Sequence, residues 1–360
     1  MSDLLYSDTE EALRDSVRRL FADRCPPEAV SSVYDSAPHD FSNVWHTLAA
    51  DLGMAGLLVP EELGGAGASA REAAVVMEEI GRAVAPVPYL TSAVLATVAL
   101  LEAGDTETVK ELAAGSLTAA LTVPLPTAPD DAVISVSGGL TGRVTSVAGA
   151  SEADVLVVPV AGPDGLELHT VARDAAGVEV SPVLALDMTR PLANVEFSSA
   201  ASSRVGPGEA AVRAALRTGA ALLASEQLGI AQWCFETTLA YAKQRKQFGR
   251  AIGSYQAIKH RLADLWIEVN AVAAVARYAA DTCARRDEDA IIAAAVAQAY
   301  CGGAAVHAAE ECVQLHGGIG MTWEYPAHLY LKRAKSDQLA FGTAYRHRAR
   351  LAELVDLPAS

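Results

Sequence analysis

At 360 residues and 51% hydrophobic composition, the chain is long enough to bury sizeable cores in two or three domains, which excludes disorder as its general state. A formal net charge of −16 argues against a nucleic-acid partner or an anionic membrane surface, because either needs a basic face. No apolar run reaches the roughly 18 to 20 uncharged residues of a bilayer span, and the N-terminus has neither a basic n-region nor an apolar h-region, so a cytoplasmic location is expected.

From Thr9 to about Leu121 the periodicity is helical, in TEEALRDSVRRLFADR, FSNVWHTLAADLGMAGLL and ASAREAAVVMEEIGRAVA. Ser7 or Asp8 should cap the first helix, with Glu10 and Glu11 in its first turn, where the helix dipole favours negative charge. VPEELGGAGAS, at 59–69, breaks the pattern as a Pro- and Gly-rich loop. From Thr122 the texture changes to short β-type runs, AVISVSG, ADVLVVPV, LELHTVA and VEVSPVL, expected to form a small antiparallel domain. Past Gly208 it turns helical again over 210–243, 254–285, 288–315 and 326–355, alanine-rich as close-packed antiparallel helices are. The expectation is an α+β fold, mostly α: an N-terminal helical domain (1–121), a middle β domain (122–207) and a C-terminal four-helix bundle (208–360).

Cys25, Cys234, Cys283, Cys301 and Cys312 are scattered and mostly embedded in helical sequence, so they read as small buried hydrophobes. No zinc, calcium, P-loop or serine-triad pattern stands out, and His307 with His316 lacks a third ligand.

Two short motifs carry chemistry. In RKQFG (245–249) Arg245 offers a planar fork of donors suited to a diphosphate, Phe248 an apolar face, and Gly249 is expected to end the preceding helix. In QLHGG (314–318) Gly317 and Gly318 let backbone approach a ligand, with Gln314 and His316 as polar groups beside it. With Gln256 between them, these motifs resemble the acyl-CoA dehydrogenase family, whose members use FAD to introduce an α,β double bond into an acyl-CoA thioester. The resemblance implies the same domain order, tetramers built through the C-terminal bundles, and FAD lying between subunits, with an electron-transfer flavoprotein as a candidate acceptor. It also implies that Arg245, Gln247, Phe248, Gln256, Gln314, Leu315, His316, Gly317 and Gly318 reach a neighbour's FAD, and that Thr343 belongs to the cofactor motif near the C-terminus. MTWEYP (321–326) reads as packing and a helix start, with Glu324 not catalytic.

The departures from the family pattern matter as much. Most relatives place a catalytic Glu directly before the Gly-Thr of the C-terminal motif, where this chain has Phe341. A second group places it 26 residues before the Arg of RKQFG, where this chain has Gly219. The Thr-Glu-Pro run, the Gly-Ser-Asp turn and the Trp strand that cradle the flavin ring in relatives have no counterpart in LTVPLPTAPDDAVIS and GRVTSVAGA, and Tyr345 stands where a polar residue is usual. The pattern resembles the subunit without the catalytic Glu in actinobacterial α2β2 acyl-CoA dehydrogenases of the steroid side-chain type, so no catalytic residue is expected here and a homologous partner should supply it. Two alternatives stand beside this: a homomeric flavoenzyme with a relocated base, such as His347 or Asp337, and a flavin-free binding relative. Asp337 itself reads as solvated or paired with Lys332 or Lys335.

Overall fold

The computed structural model describes residues 4–35, 39–131 and 136–357. Helix α1 (Asp8–Arg24) starts where Ser7 closes a capping box: its hydroxyl accepts the Glu10 N–H at 3.3 Å, and the Glu10 carboxylate accepts the Ser7 N–H at 2.6 Å. Short helices α2 (Pro27–Ser31) and α3 (Ser42–His46) follow, the latter running into a π-helical turn over Thr47–Asp51. The expected continuous helix through FSNVWHTLAADLGMAGLL is therefore a broken one, and Gly53, at φ +70°, marks its end. Ser69 repeats the capping box with Glu72 to start α4 (Ala70–Ala83). A π-helical stretch over Tyr89–Ala96 leads into α5 (Thr97–Ala103), and α6 (Glu107–Ala113) closes the helical layer.

The middle region packs two sheets face to face. Strands β1 (Ala119–Leu121), β3 (Val155–Gly162), β4 (Gly165–Ala172) and β7 (Ser203–Pro207) form one sheet in the order β1-β3-β4-β7. Strands β2 (Thr141–Ala148), β5 (Val178–Val183) and β6 (Leu192–Ser198) form the other in the order β2-β6-β5. Leu156, Val158 and Val171 of the first meet Val144, Val195 and Phe197 of the second in a separate core. The antiparallel expectation is corrected where β1 pairs with β3 in parallel, because the chain enters the sheet from the helical layer and not through a hairpin, and Val136 adds a parallel bridge to Val160. Residues 132–135 of the expected strand AVISVSG lie outside the described residues.

The remainder is the bundle: α7 (Glu209–Gln244), α8 (Gln256–Ala284), α9 (Ala290–His316), α10 (Ala327–Leu339) and α11 (Ala344–Leu354). The fourth expected helix is split in two. Phe341 and Gly342 take φ of +55° and +99°, values no α-helix holds, so the backbone turns between α10 and α11. Helix α9 with the turn behind it is long and apolar enough to cross a bilayer by composition alone, yet it runs through the middle of the bundle against α7, α8 and α10. Helices α4 and α7 cross in backbone contact at two glycines. A Cβ on Gly81 would fall 2.0 Å from the Glu226 carbonyl oxygen, and one on Gly229 would fall 1.9 Å from that of Glu78. That crossing welds the first helical layer to the bundle and fixes where the ends of α7 point.

Candidate functional site

At the C-terminal end of α7 the chain reverses in a two-residue hairpin, β8 (Lys246–Gln247) against β9 (Arg250–Ala251). Phe248 and Gly249 form its tip with φ of +52° and +79°, the pair of left-handed residues that a type I′ turn demands. Gly249 thus turns a hairpin and does not end the helix, which already stops at Gln244. The hairpin lifts Phe248 into solvent, 93% exposed, with Arg245 and Gln247 exposed beside it. Arg250 lies over the Tyr255 ring at 3.8 Å, and the Tyr255 hydroxyl donates to the Gln247 carbonyl at 3.2 Å, so the hairpin is tied to the start of α8, where Gln256 is also exposed.

Antiparallel packing brings the end of α9 to this same end of the bundle. Leu315 packs with Ala242 and Leu262, and Gln314, Gly317 and Gly318 face solvent, with open space where a Cβ on either glycine would lie. His316 behaves differently from expectation: its ring is buried. Its Nδ1–H donates to the Cys312 carbonyl at 2.6 Å, its Nε2 accepts from the Tyr325 hydroxyl at 2.6 Å, and its ring lies tilted against those of Tyr241 and Tyr325, centroids 4.3 and 4.4 Å away. Only the backbone of Leu315 and His316 is left for a ligand. Sequence reasoning missed this aromatic clamp, although Tyr325 in MTWEYP was its visible part. Trp323, expected to pack, is largely exposed, with Lys332 Nζ 4.1 Å over its ring.

Thr343 is not at that end. It occupies the N-cap position of α11, without a side-chain capping bond, two residues after Phe341. Twenty-six residues of helical rise, about 39 Å, separate Gly219 from Arg245. The candidate residues therefore form two separate places on one chain.

At the second place the two seats named for a catalytic acid touch each other. A Cβ on Gly219 would lie 2.9 Å from the tip of the Phe341 ring and 2.6 Å from Leu95, so the phenyl ring, 1% exposed, occupies the space between helix and turn. Segment 124–131 closes over it. The Phe341 N–H donates to the Leu125 carbonyl at 2.8 Å, and a Cβ on Gly342 would come within 2.8 Å of the Ala128 Cβ. Asp130 bridges Arg217 and Arg350 at 3.0 and 2.9 Å, and Asp131 pairs with Arg346, which bolts the segment to α7 and α11.

Residues 7–118 match the acyl-CoA dehydrogenase N-terminal domain, and residues 206–355 match the acyl-CoA dehydrogenase C-terminal domain. The chain belongs to the acyl-CoA dehydrogenase family. It is 35% identical to acyl-CoA dehydrogenase IpdE2 of Mycolicibacterium smegmatis over 345 residues, covering 96% of this chain and 98% of that one. Its structure is similar to the ChsE4–ChsE5 complex from Mycobacterium tuberculosis, with a TM-score of 0.87, 27% identity and all of both chains covered. It is similar also to a variant of the Tcur3481–Tcur3483 steroid ACAD, with a TM-score of 0.85, 28% identity, and 97% and 98% of the two chains covered.

In this member of the family the two substitute bases weighed from sequence are both engaged. His347 is buried and its Nε2–H donates to the Phe341 carbonyl at 2.9 Å; burial holds its pKa below the usual imidazole range, so it is a neutral strut under the turn. Asp337 is neither solvated nor paired with lysine, as expected from its neighbours, but fully buried on Arg190 at 2.5 Å. Arg190 also grips Glu226 at 2.5 Å, while Arg333 pairs with Glu226 at 2.8 Å and with Asp187 at 3.1 Å. The sequence shows Asp337 four residues from Arg333 on a polar-looking helix, and nothing local reveals that Arg190 arrives from the middle region. Glu226, the one charged residue in the mostly apolar run ALLASEQLGIA, was the signal that could have found the network.

Proposed function

We propose that this chain is the subunit of a heteromeric, FAD-dependent acyl-CoA dehydrogenase that completes the FAD site of a homologous partner and leaves α-proton abstraction to the partner's Glu, in an α2β2 assembly. The observation that carries this reading is the Phe341 ring wedged against Gly219, where an acid would have to stand, while the nucleotide motifs lie open about 39 Å away along α7.

The residues at the bundle end fit the ADP half of FAD. Arg245 makes no ion pair among the described residues and offers its fork to a diphosphate; Phe248 offers a bare aromatic face; Gln247, Gln256 and Gln314 offer amides; and the backbone of Leu315, His316, Gly317 and Gly318 permits close approach. The other place does not fit a flavin ring, because segment 124–131 is already packed on the Phe341 turn. Thr343 lies at that turn, away from the residues offered to the ADP half. FAD, when bound, accepts the hydride leaving the β-carbon of the thioester. This chain's part is to bind the nucleotide half, orient it and exclude water from it. The solved neighbour named as a steroid ACAD favours a steroid-derived acyl-CoA as the substrate.

The test is FAD per chain, read by absorbance on a size-exclusion peak, for the protein alone and co-expressed with a homologous subunit carrying a Glu at either seat. A colourless lone chain and a yellow complex with about one FAD per heterodimer are expected. A yellow homo-oligomer would overturn the reading.

A further inference from the structure

Residues 243–261 hold six of the chain's 28 Lys and Arg and not one Asp or Glu, in a protein of net charge −16. Only Arg261 of the six has a carboxylate partner among the described residues, Glu311 at 2.5 Å. Five cations, Lys243, Arg245, Lys246, Arg250 and Lys259, are left without one. A diphosphate carries two negative charges and engages one or two cations, so the cofactor alone does not account for the collar.

Beneath the collar, between α7, the Ile252–Ser254 turn and α8, lies a cleft of about 350 Å³. Its floor is Leu239, Ala242 and Leu262, and its rim carries Lys243 and Lys259. Gly253 shapes it: a Cβ there would sit 2.9 Å from the Ala242 carbonyl oxygen, so the turn is pressed onto α7 and the space opens beside it. An apolar floor with cations on both sides complements a large apolar side chain flanked by carboxylates, the arrangement of a buried anchor within a charged rim.

We infer that this cleft docks an acidic segment of the partner subunit, which inserts one large apolar side chain over Leu239 and Leu262 and sets carboxylates against Lys243 and Lys259. The inference rests on the heteromeric reading above. The contact is continuous with the exposed cofactor motifs, so docking would seat the nucleotide half of FAD and the partner's chain together. Electrostatic attraction between the collar and the segment speeds encounter and makes assembly salt-sensitive.

The test uses the full chain with the co-expressed homologous subunit, comparing wild type with a Lys243→Glu, Lys259→Glu double variant and its Lys→Arg counterpart. Association is followed by sedimentation at low and at high sodium chloride. At low salt the double variant should bind at least about tenfold more weakly, the arginine version like wild type, and the difference should shrink at high salt. FAD per complex at saturating partner should stay at the wild-type value, since Arg245 and residues 314–318 are untouched. A wild-type complex indifferent to both salt and charge reversal overturns this inference and leaves the heteromeric reading standing. Absence of any wild-type complex overturns both. If the double variant instead loses affinity of the lone chain for free coenzyme A while assembly is unchanged, the cleft holds a small anion and the docking inference is wrong.

Discussion

Phe341 is a large apolar residue held at φ +55° in a turn where the family resemblance implies a carboxylate, and its ring fills, together with Leu95, the space over Gly219. Replacing it by Glu would put a carboxylate into that apolar space. The lost ring contacts alone are worth roughly 3 to 5 kcal/mol, and an unpaired buried charge adds several more unless the group keeps its proton. Phe341→Glu is therefore expected to lower the melting temperature and to give no acyl-CoA-dependent dye reduction as a homomer. Turnover by that lone variant would refute the division of labour. Arg245→Ala acts in the opposite place: under the proposed function it removes a charge-assisted contact of roughly 1.5 to 3 kcal/mol from the nucleotide half. FAD occupancy of the complex should drop at limiting flavin with the melting temperature of the lone chain unchanged, since Arg245 is exposed and makes no ion pair among the described residues. Unaltered flavin content would remove Arg245 from the site.

The elements meet through charge as well as through their apolar faces. Arg190 comes from the loop before β6, Glu226 from α7, and Arg333 and Asp337 from α10, and Arg333 also reaches the Ala85 carbonyl behind α4. Two guanidiniums face three buried carboxyls, counting Asp187, so retaining one proton balances the cluster. Burial first, and then the neighbouring Glu226, push Asp337 up to about 8 against the pull of Arg190 and Arg333. Unfolded, the same carboxyl titrates near about 3.9. The folded chain thus keeps a proton that the unfolded chain releases. Its contribution is complete below about pH 4 and is lost as pH rises through about 8. Wild type should lose melting temperature between about pH 5 and pH 8, and Asp337→Asn, neutral in both states, should lose less over that range. A wild-type profile as flat as the variant's would show that Asp337 is ionised in the fold. Cutting the clamp with Arg190→Met leaves buried acids short of a cation and should cost about 3 to 5 kcal/mol. Glu226 in its mostly apolar run was the one legible trace of this network, because the other partners are far apart along the chain and each looks like an ordinary surface group beside its own neighbours. The helices themselves were legible, since α1, α4, α7, α8 and α9 announce themselves by period and, for the first two, by Ser-x-x-Glu caps. What periodicity could not register was φ: the break at Phe341 and the hairpin at Phe248 both depend on left-handed residues that are not glycine.

For the whole molecule the decisive property is how unevenly its surface is finished. The crossing of α4 with α7 and the buried charge network close the interior, whereas the bundle end leaves Phe248 93%, Met321 82% and Trp323 66% exposed. Phe248 follows the C-terminal end of α7, and Met321 and Trp323 lie in the connection between α9 and α10. Large apolar side chains left this exposed beside the two nucleotide motifs mark a surface meant to be covered. The motifs RKQFG and QLHGG pointed to this end from the sequence, but its apolar character became visible only when the hairpin and the turn after α9 were seen to lift those side chains outward. If a partner and its cofactor cover the end, the lone chain should bind a hydrophobic dye such as ANS and the heteromer should not. Because only the folded chain offers the surface, the melting temperature of the mixture should also rise with partner concentration, by mass action. Trp323→Ser with Met321→Ser should then lower dye binding of the lone chain and weaken assembly together. Dye binding that persists in the assembled complex would mean that this end stays open to solvent and that the partner docks elsewhere.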